Sequence, residues 1–334
     1  MKLSLLLCFA YIAPISQSIS HFPPQQDLVV VTFAYIAPNL QASSSGYTTG
    51  KSLKDLLCRY LASVIVNEGN VTLLGYDDYT PPPECRHCSE ARKRKWKVYN
   101  VMSAGHGKLL ETYASKLPAY TIVVVTDVFD VVFTGNVPNL ALLLREWLNQ
   151  RPGTVVWAFG RGCYPVPGWK KGNCDLTSPA YGLNAGFYAG FAKDIVLLSR
   201  KFQRENARIL RLKVPPTGGD QGVWIRIGEQ NMKPLHYRMD ERQEIVRFPF
   251  TLDNKVLPTS QFISNRFPQP IAHCSGPDKY PCTELYESRY VNMTKQQVSS
   301  IFSSVVMTRV GSRATPLREL CPSTSIFHSL LPGG

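Results

Sequence analysis

Two rhythms of hydrophobic and polar residues alternate along this chain. Residues 27–33 (DLVVVTF) form a short β-branched run, followed by a Ser/Gly-rich stretch and an amphipathic segment at 52–67. The pattern then predicts a strand at 71–75, a helix at 107–117 and a fully buried strand at 120–126 (YTIVVVT). It continues with a helix at 138–150, a strand at 154–159 and a helix at 193–210 that keeps basic residues on its outer face. Continuous β-branched runs between amphipathic helices indicate a sheet covered on both faces. The expected fold is therefore α/β, doubly wound, around a mostly parallel sheet. Beyond about residue 248 the chain is rich in proline, serine and short apolar pieces, which reads as loops and short strands packed on that domain. Residues 312–334 read as weakly ordered.

The first twenty residues (MKLSLLLCFAYIAPISQSIS) change the compartment expected for this domain. One lysine, an apolar stretch from 3 to about 15 and small polar residues make the pattern of a secretory signal. The apolar run is shorter than the ~20 residues of a spanning helix, and no later segment is apolar enough to cross a bilayer. The expected organisation is a signal peptide at 1–20, the α/β domain at 21–295 and a partly disordered C-terminal extension at 296–334. The expected location is the lumen of the secretory pathway (endoplasmic reticulum or Golgi) or outside the cell. Nine cysteines fit that route. Without Cys8 they leave an even number, which suggests disulfides of open connectivity. Asn70 and Asn292 each begin a sequon for N-glycosylation.

Composition adds a preference of partner. There are 37 Lys and Arg against 24 Asp and Glu, a net charge of +13, which favours phosphates, nucleotides or acidic glycans. The basic run ARKRKWK at 91–97 reads as a solvated loop, and nucleic acid is not an expected partner. Hydrophobic residues at 44% exclude global disorder.

Candidate chemistry begins with VVVTDVFDVVF at 123–133. In sheets of this kind ligands bind beyond the carboxyl ends of the strands, where Asp127 falls. Asp127 and Asp130 can place two oxygens on one hard divalent cation, with water and substrate phosphate completing it. A histidine ligand would tilt the choice towards manganese. The plainer alternative is a turn capped by Asp127, with Asp130 facing solvent. Three later blocks set glycines around single polar residues: YGLNAGFYAG (181–190), GGDQGVWI (218–225) and PIAHCSGPDK (270–279). Such glycines suit a close approach of backbone to ligand. Asn184 can hydrogen-bond a sugar hydroxyl, and Asp220 and Gln221 fall at the start of a helix, where a carboxylate is favoured. His273 and Lys279 flank a glycine turn as candidate metal ligand and diphosphate partner; a cap, a turn or a satisfied core histidine is the ordinary reading of each.

Taken in order, TDVFDVVF, LNAGFYAG, GDQ and HCSGPDK resemble the glycosyltransferase domain of the procollagen-lysine hydroxylase/glucosyltransferase family. That family's versions read approximately TDSYDV, LNSGGFIG, DDQ and HGNGPTK. AGHGKLLETY (104–113), AFGRGCYP (158–165) and LDNK (252–255) extend the resemblance over about residues 27–292. It implies a GT-A fold, Rossmann-like with helices on both faces, a UDP-sugar donor and Mn2+. By the same resemblance Asp127, Asp130 and His273 bind the metal. Phe129 replaces the aromatic that stacks on uracil, Thr32 and Phe33 contact the nucleoside, and Lys108, Gly276 and Lys279 belong to the donor site. Asn184, Asp220 and Gln221 match the catalytic, sugar-facing side. The implied reaction moves glucose or galactose from a UDP-sugar to a protein or glycan hydroxyl, hydroxylysine among the acceptors, with retention of configuration.

Two departures keep a second reading open. Ser275 stands where the family has asparagine, and Gly219 replaces the first acid of DDQ. Both favour a catalytically silent module with the same fold that binds a nucleotide or glycan; a metal-dependent hydrolase using Asp127 and Asp130 is a third possibility. The oxygenase half of the family is not expected here. None of the histidines at 21, 87, 106, 236, 273 and 328 is followed two positions later by an acid, as a non-haem iron site requires.

Overall fold

The computed structural model describes residues 27–33, 53–75, 105–160, 180–211, 219–230, 232–249, 262, 269–274, 280–290, 293, 295–309 and 313–321. Parallel strands β1 (Leu28–Phe33), β2 (Val71–Leu74) and β3 (Ile122–Thr126) form its centre, with β1 in the middle. Next to β3 lies β6 (Leu183–Phe191), which runs antiparallel, and beyond it β5 (Thr154–Phe159) and β7 (His236–Asp240) resume the original direction. On the other edge, β10 (Val305–Arg309) is parallel to β2 and carries β11 (Arg313–Pro316) antiparallel. Six of these eight strands share one direction, so the sheet is mostly parallel, as the runs of β-branched residues predict.

Alternation of side chains decides which helices cover which face. Leu28 and Val30 of β1, with Ile122 and Val124 of β3, join one core. That core takes in α1 (Leu53–Val66), α3 (Val137–Asn149), α6 (Tyr280–Tyr290) and α7 (Lys295–Ser303). Val29, Val31, Val123 and Val125 join the second core, under α2 (Leu110–Ala114), α4 (Ala192–Arg211) and α5 (Gly219–Gln230). The valines at 30, 31, 123 and 124 are wholly buried, each contributing about 1.5–3 kcal/mol. Entry into α3 follows from its sequence: Asn136 Oδ1 accepts from Asn139 N–H at 3.1 Å, and Pro138 sits in the first turn, where it displaces no helical hydrogen bond.

Three findings depart from the sequence reading. The helix expected at 107–117 opens two residues earlier, as a π-helical turn at Gly105–Leu109. The region read as loops contains α6 and α7, and the buried positions 282, 285, 286 and 290 of α6 keep helical spacing. Those positions are Cys282, Leu285, Tyr286 and Tyr290, a set with one aliphatic side chain among polar neighbours. Residues 305–316, read as extension and weakly ordered tail, add β10 and β11 to the main sheet. A short helix α8 (Leu317–Leu320) then leads to Cys321, bonded to Cys58 of α1. The loop it closes spans 263 residues, and in the chain-entropy view a loop of that length contributes about 5 kcal/mol.

A small second sheet stands at the carboxyl edge of the first. β4 (Val131–Phe133) pairs antiparallel with β9 (Ile271–His273), which runs parallel to β8 (Val246–Arg247). Asp240 turns the chain from β7 into β8 by accepting from the N–H groups of Glu244, Ile245 and Val246 at 2.7, 2.9 and 2.8 Å.

Candidate metal centre at the sheet edge

The β3 strand ends at Thr126, and the ladder continues by one bond, from Asp127 N–H to Gly186 O at 3.0 Å. Val128 then turns into the core, fixing a short turn that ends in β4. Asp127 stays at the cleft, with 40% of its side chain exposed. Asp130 is buried at 8% exposure, not turned to solvent as in the plain turn reading. Its backbone O accepts from Cys274 N–H at 2.8 Å, and the register of β4 with β9 sets Val131 opposite His273. The small sheet thus carries His273 to the aspartates across more than 140 residues of sequence.

His273 Nε2 lies 3.4 Å from Asp130 Oδ2 and 4.0 Å from Asp127 Oδ2. One potential ligand atom from each of these residues falls within 4.8 Å of the others. His273 is 2% exposed, and neither ring nitrogen has a hydrogen-bond partner. Its ring occupies the space above Gly186, where an added Cβ would stand 2.0 Å from Cε1. Burial, then repulsion from Asp130 and Asp220, push the Asp127 pKa up to about 7; His273 and His106 pull the other way. Two carboxylates crowded around an unpartnered buried imidazole fit a divalent cation well. An oxygen-rich donor set with a single imidazole suits manganese. The disulfide Cys274–Cys282 joins the residue after His273 to α6, and Cys282 Sγ lies 3.4 Å from Asp130 O.

The expected sugar-facing residues lie around the amino end of β6. Asp220, near the start of α5, is buried with Oδ2 2.9 Å from His106 Nε2. His106 Nδ1 in turn meets the Tyr188 hydroxyl at 2.8 Å, and its ring lies among Phe33, Phe202 and Trp224. Sequence reasoning missed His106. Its signal was slight, one histidine between two glycines. Asn184 Oδ1 accepts from Gly186 N–H at 2.9 Å. Gln221 grips the same strand, accepting from Ala185 N–H at 2.6 Å and donating to Leu183 O. Its amide is thereby committed to backbone, which makes Gln221 a support of β6 more than a sugar contact.

The donor-side candidates separate. Thr32 is wholly buried and donates to Thr126 O at 2.8 Å, so its hydroxyl lies beneath the cleft surface. Phe33 packs edge-on against His106, ring centroids 4.4 Å apart. Phe129 is half-buried between the two aspartates and rests on the first core. Lys108 is 74% exposed, with Nζ 3.9 Å from Glu111 Oε2, turned to solvent and not gathered into the cluster. Gly276 and Lys279 lie outside the described residues, as does Ser275; Gly219 opens α5.

No helix among the described residues is long and apolar enough to cross a membrane. No protein-family model matches this chain, and no curated protein matches it. Among solved structures it is similar to the galactosyltransferase LgtC, determined in complex with donor and acceptor sugar analogs. That likeness has 13% identity and a TM-score of 0.39, over 81% of this chain and 99% of the other. So low a score carries no part of the functional argument. The chain's own geometry leaves an α/β sheet with an Asp–Asp–His cluster at its carboxyl edge.

Proposed function

We propose that this chain is a GT-A type glycosyltransferase that uses a divalent cation, Mn2+ by its donor set. On this reading it transfers glucose or galactose from a UDP-sugar to a hydroxyl of a protein or glycan. The observation that carries the proposal is the convergence of Asp127 and Asp130, from the turn between β3 and β4, with His273, from the end of β9, at the edge where α/β sheets bind ligands. The resemblance of the sequence blocks to the procollagen-lysine glycosyltransferase domain supplies the sugar chemistry, the retention of configuration and hydroxylysine as one acceptor. A signal at 1–20 puts the reaction in the secretory lumen or outside the cell.

Asp127, Asp130 and His273 would hold the cation, which supplies charge neutralisation for the departing diphosphate when bound. The protein supplies the positioning. Phe129, fixed between the two aspartates, offers a ring face for the uracil. Gly186 of β6 makes room for the His273 ring, and Asn184, two residues earlier on the same strand, is placed to orient the sugar. Asp220 is the carboxylate available to take the acceptor proton, held in place by His106, whose other ring nitrogen is fixed by Tyr188.

A second reading, a silent nucleotide- or glycan-binding module, is favoured by Gly219, Ser275 and the commitment of the Gln221 amide to β6. One assay separates the two: UDP release from a panel of UDP-sugars with Mn2+ and with EDTA, over protein and glycan acceptors. Release of UDP that depends on Mn2+ is the expected result. Binding of UDP with no turnover across the panel would sink the enzyme reading, and release of phosphate in place of UDP would make the chain a hydrolase.

A further inference from the structure

The sequon Asn70-Val71-Thr72 lies within the described residues, and the fold treats its two ends differently. Asn292, which begins the other sequon, lies outside them. Asn70 sits in the tight turn between α1 and β2. Glu68 N–H donates to Ile65 O at 3.0 Å and Gly69 N–H to Val64 O at 2.9 Å, which closes the end of the helix. Asn70 O then accepts from Val30 N–H at 2.9 Å, so the main chain is fixed while the residue stays exposed. Among the described residues its side-chain amide has no hydrogen-bond partner.

Thr72 is the opposite case. It is 4% exposed, and its hydroxyl lies 2.9 Å from the Tyr113 hydroxyl. It stands in β2, with β1 on one side and β10 on the other. An enzyme that must read that hydroxyl cannot reach it in the folded chain. β10, however, meets Thr72 through Met307 and is among the last segments to be synthesised. The sequon is therefore open while the chain is being made and shut once β10 docks, with Asn70 alone left at the surface. A surface position is what a bulky N-glycan demands.

A second feature marks the same place. Counting back two residues along both parallel strands from Met307 and Thr72 sets Val305 level with Asn70, on strands about 4.8 Å apart. Val305 is 50% exposed, an apolar side chain left open at that edge. Both residues lie at the amino ends of their strands, whereas the Asp–Asp–His cluster lies at the carboxyl edge, so a glycan there leaves the cleft clear.

We propose that Asn70 carries an N-linked oligosaccharide, transferred before β10 closes over β2, which shields Val305 at the amino edge of the sheet. In the transfer the Asn70 amide nitrogen bonds to the anomeric carbon of an oligosaccharide carried on a lipid diphosphate. The bond from that carbon to the diphosphate oxygen breaks, and the lipid diphosphate leaves with the electron pair. One amide proton passes to a base of the transferase. The inference rests on the signal read at 1–20, which brings the chain into the lumen.

The test translates the full chain with endoplasmic-reticulum microsomes, as Asn292→Gln so that one sequon remains. A protease-protected chain with the gel shift of one glycan is expected. Peptide N-glycosidase should erase the shift and leave aspartate at 70 in the peptide mass spectrum. Asn70→Gln and Thr72→Ala should each abolish the shift, and Thr72→Ser should keep it. On the secreted chain, enzymatic removal of the glycan should raise binding of an apolar-surface dye, and Val305→Ser should cancel that rise. A protected chain without the shift, or a shift that persists in Asn70→Gln, would overturn the site and keep the signal. A chain left open to protease would overturn both, so the two failures are distinguishable. An unchanged dye signal would overturn the shielding of Val305.

Discussion

Gly186→Ala tests how His273 is held without touching a proposed ligand. A Cβ at 186 would stand 2.0 Å from His273 Cε1, 2.6 Å from Nε2 and 2.8 Å from Nδ1, whereas ordinary contact begins at 3.4 Å. The ring must therefore retreat by about 1.4 Å, and the neighbouring Phe248 ring, 5.1 Å away centre to centre, restricts where it can go. Overpacking of this kind costs about 1–3 kcal/mol of stability. Its effect on the metal site is larger in consequence, because coordination distances tolerate only about 0.2 Å. Loss of the imidazole from the cluster should weaken Mn2+ binding by at least 10- to 100-fold, the scale at which disturbed supporting residues already act. Calorimetric titration with Mn2+ reads the change directly. Gly190→Ala is the control on the same strand: its new Cβ meets the flexible end of Ile195 at 3.2 Å, and Mn2+ affinity should be kept. In a His273→Ala background, Gly186→Ala should add almost nothing to the loss of affinity. A Gly186→Ala protein that folds and binds Mn2+ as tightly as the parent would refute the reasoning.

Other expectations follow from the same geometry. Asp130→Asn should abolish Mn2+-dependent UDP binding while circular dichroism and Tm stay close to the parent; unchanged manganese dependence would remove Asp130 from the metal site. Replacing Cys58 and Cys321 together by serine should cost about 2–5 kcal/mol, read as a lower midpoint in urea, since the bond ties β10, β11 and α8 to α1. The raised pKa of Asp127 sets two pH dependences. Protons compete with the cation, so Mn2+ affinity should fall as pH drops below about 7. Without metal, the folded state holds this proton more tightly than the unfolded chain does. The contribution of Asp127 to stability should then decline as pH rises from about 4 towards 7, modestly because the side chain is partly solvated. A metal-free Tm that climbs over that interval, with Asp127→Asn equally affected, would count against this assignment.

Periodicity along the chain was enough to define the α/β class, because β-branched runs such as IVVVT and amphipathic helices such as 137–149 carry their burial in their own spacing. It also located Asp127 beyond the end of β3 and Asp220 near the start of α5, since both depend on where an element begins or ends. Local pattern could not reveal α6, whose buried face holds one aliphatic residue, Leu285, beside Cys282, Thr283, Tyr286 and Tyr290, nor that β10 joins the sheet through a single neighbour on β2. It also left Thr32 and Lys108 as equals of Phe129, although one is buried beneath the cleft and another faces solvent. The meeting of His273 with the aspartates and of His106 with Asp220 was decided by tertiary structure alone. Each joins residues far apart in the chain, and their distances arise from strand register and helix packing, which no short window of residues contains. Sequence by itself determined which chemistry was available and at which strand end; folding determined which of those groups stand within reach of one ion.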